Sequence, residues 1–207
     1  MDVTFHGSSC VRLRGREVQV VVDPHDSALR TLGKASPELI VRTEGATRPE
    51  LLRPHGDGSP QEVSGPGEYE VRGVRVRGIP SSPIATIMQI ELDEVRVVAL
   101  GALERVLTED EIDSLGKVDL LLLPVGGGDA LGASAATKLV NAIAPAVVVP
   151  LEPAAGRVRS EESATVAVFA REMGVAESTV AQAKVSLSSS SVASEDTRVV
   201  ILESRSS

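Results

Sequence analysis

The sequence has no tryptophan, one tyrosine and two phenylalanines in 207 residues. Aromatic platforms that stack bases or sugars are therefore largely excluded. Its single cysteine, Cys10, rules out an intramolecular disulfide and any cysteine-rich zinc module. The three histidines, His6, His25 and His55, form no HxH or HxxxH pair. A zinc site draws three or four ligands from His, Cys and carboxylate at compatible spacing, so this is a poor inventory for one. No DxDxDG-type loop offers an oxygen cage for calcium. No apolar run approaches the ~18 residues of a membrane-spanning helix. The first ten residues hold no basic segment leading into an apolar one, and we expect a cytoplasmic protein. Basic residues are in deficit, 21 Lys and Arg against 29 Asp and Glu, for a net charge of −8. A broad acidic surface repels phosphate backbones and argues against nucleic-acid binding.

Hydrophobic residues make up 42% of the chain and charged residues 24%, ordinary values for a globular protein. The first half alternates in steps of two. Asp2–Phe5, Cys10–Leu13 and Glu17–Val22 read as strands, with a turn at Gly15. Leu39–Val41 is a short apolar strand. Arg48–Gly67 reads as loop, with brief strand content around Glu62–Ser64. Glu70–Gly78 alternates valine and arginine, as a half-buried strand pair turning at Gly73 would. Thr86–Leu92 and Val95–Leu100 form a hairpin turning at Asp93 and Glu94.

The second half changes period. Thr108 to Glu111 is a capping box before a short helix closed by Gly116. Asp119–Pro124 and Ala146–Pro150 are buried strands, Ser134–Ala144 is a helix, and Glu161–Met173 is a helix ended by Gly174. Val185–Leu187 and Arg198–Glu203 are strands, and the serine-rich stretch Ser188–Glu195 between them reads as a mobile loop. Meandering strands followed by strand–helix units predict one α+β domain, residues 1–207, built as a sandwich.

Local motifs give little chemistry. There is no GxSxG elbow for a serine nucleophile, and Cys10 reads as a small core residue. The loop Gly126–Gly128 follows a buried strand but lacks the Lys-Ser/Thr of a P-loop and the spacing of a dinucleotide fingerprint. Arg72, Arg75 and Arg77 read as a solvated face, since 75 and 77 share parity and 72 does not.

Several segments taken in order resemble the metallo-β-lactamase superfamily. They are GSSC at Gly7–Cys10, VVDP at Val21–Pro24, GPGEYEV at Gly65–Val71, RGIP at Arg77–Pro80, LGALERVLTEDEI at Leu100–Ile112, VDLLLLPVGG at Val118–Gly127 and AVVVP at Ala146–Pro150. The resemblance runs from about Asp2 to Glu203. It is nearest the small prokaryotic branch akin to L-ascorbate-6-phosphate lactonase. It implies an αββα sandwich with mixed sheets flanked by helices, a zinc or manganese site at the strand ends, and hydrolysis by metal-bound hydroxide.

The metal motif itself is replaced. The HxHxDH signature falls on Glu44, Ala46, Arg48 and Pro49, the later ligands on Ala99 and Ala102, and the last histidine on Glu152. The GHS histidine is Ser8. Asp23, which supports the site from behind in the family, is retained. Alanine and proline offer no lone pair, and Arg48 puts a positive charge where a dication would sit. The resemblance thus implies a vestigial pocket formed by Ser8, Asp23, Glu44, Ala46, Arg48, Pro49, Ala99, Ala102 and Glu152. It carries no catalytic residue, no metal and no cofactor, and it suits a small-molecule or protein partner. The alternative is a hydrolase rebuilt around His6, Asp23, His25 and His55. Apolar residues flanking Gly132–Val140 could also supply a homo-oligomer interface.

Overall fold

A computed structural model describes residues 1–25, 37–44, 60–83, 85–126, 131–152, 166–193 and 196–205. In chain order its strands are β1 (Asp2–Phe5), β2 (Val11–Arg14), β3 (Gln19–Val22), β4 (Leu39–Arg42), β5 (Gln61–Ser64), β6 (Gly67–Val71) and β7 (Val74–Pro80). They continue with β8 (Thr86–Leu92), β9 (Val95–Ala99), β10 (Leu120–Pro124), β11 (Val147–Leu151), β12 (Val185–Ser186) and β13 (Arg198–Val199). The described helices are α1 (Glu109–Leu115), α2 (Ala133–Ile143) and α3 (Val166–Glu172).

These strands make two mixed sheets, ordered β12-β1-β2-β3-β4-β5 and β13-β11-β10-β9-β8-β7-β6. The sheets repeat one pairing scheme. In the first, β1, β2 and β3 are antiparallel, and β4 and β5 then join in parallel. In the second, β7, β8 and β9 are antiparallel, and β10 and β11 join in parallel. All the parallel strands therefore end on one side of each sheet, where loops can gather.

Alternation decides which side chains meet between the sheets. Val3, Phe5, Val11, Leu13, Val20 and Val22 from the first sheet pack with Val74, Val76, Met88, Ile90, Val97 and Leu120 from the second. The outer face of the second sheet buries Val98, Leu121, Leu123 and Val148 under Leu115 of α1, Ala136, Leu139 and Val140 of α2, and Phe169 of α3. Strands β10 and β11 are buried along their whole length, which explains their unbroken apolar sequence.

The capping box forms as expected. The Thr108 hydroxyl accepts from the Glu111 backbone N–H at 3.3 Å, and the Glu111 carboxylate accepts from the Thr108 N–H at 2.8 Å. Gly116 ends α1 at φ +59°.

Within Gly132–Val140, Ala133, Ala136, Leu139 and Val140 are buried against the sheet. Two expectations change. The serine-rich stretch is a hydrogen-bonded turn at Ser188–Ser191, pinned by Val192 in the central core. A strand also starts at Gly67, where loop was expected. The Tyr69 hydroxyl fixes that corner: its single proton points among the carbonyls of Ser64, Gly65 and Pro66, whose oxygens lie 3.0, 3.3 and 3.2 Å away. Residues 161–165 of the last predicted helix, and 127–130 of the triple-glycine loop, lie outside the described residues.

Candidate functional site at the strand ends

Asp23 immediately follows β3, and Thr43 and Glu44 follow β4. Because β3 and β4 are parallel neighbours, the two ends lie side by side. The Asp23 backbone N–H donates to Val41 O at 2.9 Å. One Asp23 carboxylate oxygen accepts the Thr43 backbone N–H at 2.7 Å, and the other accepts the Thr43 hydroxyl at 2.6 Å. Asp23 holds φ +45°, an uncommon conformation for a residue with a side chain. Desolvation raises its carboxyl from 3.8 to about 6, Thr43 opposing the rise and the charge of Glu44 adding to it.

Thr43 is only 1% exposed and reaches across to the second sheet. Its carbonyl accepts the Thr86 N–H of β8 at 2.7 Å. Next to it, Glu44 makes an antiparallel bridge to Ala85. On its other side lies Gly101, beyond β9, at φ +60°. A Cβ at Gly101 would stand 2.5 Å from both Cβ and Oγ1 of Thr43, so only glycine admits this approach. One buried threonine thus joins segments following β3 and β9 and the start of β8.

The expected pocket residues separate into three groups. Asp23 and Glu44 interact. Ala99 ends β9, 2% exposed, with its methyl in the inter-sheet core, and Ala102 is half-buried one residue past Gly101. Ser8 sits at the tip of the β1–β2 turn at φ +52°, after Gly7 at φ +86°. That turn is closed by His6 N–H to Cys10 O at 2.8 Å and Cys10 N–H to Gly7 O at 3.0 Å. Glu152 is exposed after β11 and has no hydrogen bond or ion pair among the described residues. Ala46, Arg48, Pro49 and His55 lie outside the described residues.

His6 and His25 do come together. His25 Nε2 lies 3.3 Å from the His6 carbonyl oxygen. The His6 ring, however, is turned into the protein. It is 2% exposed, with Nε2 at 3.2 Å from the Thr4 hydroxyl. Burial, then the charges of Arg12, Arg205 and His25, lowers its pKa from 6.5 to about 4. Cys10 is buried nearby, and burial followed by the charge of Asp23 pushes its thiol up to about 12. A neutral buried thiol is a weak nucleophile. No three His, Cys, Asp or Glu side chains among the described residues stand together as a metal-holding group.

Sequence reasoning marked Asp23 but missed its partner Thr43, and Gly101, which packs on Thr43. Thr43 directly precedes Glu44, the first replaced ligand position. Gly101 sits between Ala99 and Ala102. Gly101 was inside a recognised segment and Thr43 beside the replaced signature, yet their contact joins two sheets and leaves no local pattern.

Two mixed sheets packed face to face, with helices outside and polar residues at the parallel strand ends, define a protein of the metallo-β-lactamase fold class. The chain belongs to the β-lactamase superfamily: residues 2–152 match the family model described as Beta-lactamase superfamily domain. It is similar to a solved protein from Thermotoga maritima assigned to the Zn-dependent hydrolases of the metallo-β-lactamase superfamily. That similarity is 20% identity and a TM-score of 0.72, covering 99% of each chain. A metallo hydrolase from Ignicoccus hospitalis is 19% identical at a TM-score of 0.64, covering 90% of this chain and 98% of that one. The metallo-β-lactamase fold protein YhfI from Bacillus subtilis is 11% identical at 0.66, covering 98% and 97%. Likeness at these identities speaks to fold alone. A search of curated proteins returned no match.

Proposed function

We propose that this chain is a metallo-β-lactamase-fold protein with a degenerate metal site. In this reading it is a non-catalytic homologue of the metal-dependent hydrolases that binds a small molecule or a partner protein at its strand ends. We place it in the branch that resembles L-ascorbate-6-phosphate lactonase, as a cytoplasmic protein whose residues 1–207 form a single domain. The observation that carries the reading is the commitment of both Asp23 oxygens to Thr43.

The remaining donor set supports it. At the aligned ligand positions Ala99 and Ala102 have no donor atom, and Glu44 and Glu152 each supply one carboxylate. Ala46 and Pro49 add none, Ser8 offers a weak hydroxyl, and Arg48 brings a positive charge. Zinc hydrolases hold their ion with several imidazole and carboxylate ligands and leave one open position for water. The donors at these positions do not fit such a centre, and without it water keeps its ordinary acidity and supplies no hydroxide at neutral pH. Ser8 and Asp23 hold left-handed backbone at this end of the first sheet.

The rebuilt-hydrolase reading draws on His6, Asp23, His25 and His55; of these, the His6 ring is buried against Thr4, which weighs against its part in such a site. Elemental analysis of protein purified without added metal tests the proposal, beside a screen with phosphodiester, lactone and thioester substrates. We expect substoichiometric metal and no turnover. Stoichiometric zinc, manganese or iron, or turnover abolished by Asp23→Ala, would overturn it.

A further inference from the structure

Strand β6 forms one edge of the second sheet, and its outer face is covered by no helix among the described residues. The turn joining it to β7 consists of Arg72 and Gly73 at φ +51° and +78°. A two-residue turn of this kind makes the flanking pair, Val71 and Val74, a hydrogen-bonded pair. By alternation Tyr69 with Val76 and Gly67 with Gly78 are bonded pairs as well. Glu68 and Glu70 therefore aim both their N–H and C=O groups away from β7, off the edge of the sheet.

The same two residues carry carboxylates that have no hydrogen bond or ion pair among the described residues. Register places them at the end of a charge ladder. Glu70 is opposite Arg75, Arg75 opposite Glu91, and Glu91 opposite Arg96, across four strands. Arg75 is ion-paired to Glu91 at 2.9 Å. In the neighbouring row Glu68 is opposite Arg77, which donates to Gln89 at 3.4 Å and to Ser114 O at 3.1 Å. Signs alternate along the first row and stop at the edge on a negative charge. A groove of about 500 Å³ runs over these residues toward the end of α1.

We propose that the β6 edge is a docking site for an extended segment of a partner protein carrying Lys or Arg at alternate positions. The partner's backbone adds a strand to β6 at Glu68 and Glu70, the mode of strand addition to an open edge. Its basic side chains continue the ladder as the next positive column, opposite Glu68 and Glu70. A five-residue strand sets the length of the segment. A second copy of this chain does not suit the site, because antiparallel β6–β6 pairing would set glutamates against glutamates. Exposed pairs are individually weak, so the charges select register and partner while the backbone bonds hold the strand.

The probe is a seven-residue peptide alternating lysine and valine, titrated into the full-length ¹⁵N-labelled protein. The amides of Glu68 and Glu70 should shift and gain protection from hydrogen exchange. Reversing both charges in Glu68→Lys/Glu70→Lys should weaken binding by about tenfold or more, and an isomeric peptide with its lysines adjacent should lose a comparable amount. Glu70→Pro removes an N–H that points away from β7, so the hairpin persists while docking is lost. Its circular dichroism and melting curve check that persistence, and the charge-reversed pair provides a second variant with an intact backbone. Three outcomes would overturn the proposal. They are no binding at millimolar peptide, equal binding by the charge-reversed protein, and shifts confined to other strands. Dimerisation of Glu68→Gln/Glu70→Gln without peptide binding to the wild type would also overturn it, leaving the glutamates as guards against self-association.

Discussion

Replacing Asp23 with asparagine should stabilise this protein at neutral pH. The Asp23 carboxyl rises from 3.8 to about 6 because desolvation outweighs the hydrogen bonds from Thr43. A carboxyl raised in the fold holds its proton more tightly there than in the unfolded chain. The stability that follows is complete below pH 3.8 and is lost as the pH climbs through 6. Carried through proton linkage, the rise amounts to about 3 kcal/mol. Asparagine has the shape of the protonated side chain, keeps an oxygen for the Thr43 N–H, accepts φ +45° and never ionises. The assay is urea unfolding of both proteins at intervals between pH 4 and 7.5, read as the difference between them. The difference matters because His6 pulls the other way in both. Its pKa, lowered from 6.5 to about 4, gives stability that is present above 6.5 and lost as the pH falls toward 4. In the wild type the two trends offset each other across much of that range, and subtraction isolates Asp23. We expect near parity at pH 4 and an asparagine variant ahead by up to about 3 kcal/mol at pH 7. A constant difference, or one that grows toward acid, would refute the view that desolvation governs this carboxyl.

Gly101→Ala should cost about 2–4 kcal/mol, combining a left-handed alanine with a Cβ forced against Thr43. Urea unfolding measures it, and a loss below about 0.5 kcal/mol would mean that the junction gives way freely. Cys10 should resist thiol reagents in the native protein at pH 8 and react with one equivalent on unfolding, as expected of a buried thiol raised to about 12. Rapid native labelling would contradict its placement. Melting curves in excess chelator and in added zinc should coincide, since a stabilising ion would raise the midpoint with its concentration. A zinc-dependent rise would show that the strand ends hold a cation after all.

Much of the fold was legible because burial here follows local period. Valines at 74 and 76 face the core while arginines at 75 and 77 face outward, as parity predicts. Thr108 and Glu111 mark the start of α1, and Gly116 marks its end, through hydrogen bonds that lie within one turn. The start of β6 was less legible. Its residues Gly67 to Glu70 take their strand geometry from pairing with β7, and glycine and glutamate carry little strand preference of their own. The Ser188–Ser191 turn misled for a related reason. Serine-rich composition suits a flexible linker, but the same hydroxyls can close a turn once Val192 anchors one end. At the strand ends the sequence revealed which residue types are present and which donor types are missing. It could not reveal that Asp23 is consumed by Thr43, because that bond depends on two parallel strands ending in register.

The two sheets also show how the rim at the strand ends is held together by the chain's own atoms. Each sheet repeats the same antiparallel-then-parallel pairing, and both place their parallel strand ends on the same side of the sandwich. Side chains at that rim have to satisfy one another or hold something else. Here Thr43 takes both Asp23 oxygens on one flank, gives its carbonyl to Thr86 on the other, and admits the Gly101 backbone against its Cβ. Each contact is buried or half-buried, so breaking any one leaves an unsatisfied polar group that costs more than the bond itself contributes. The rim is thereby tied across both sheets by the chain's own atoms. Asp23 is an ionisable group held against that junction, so its protonation reports on it.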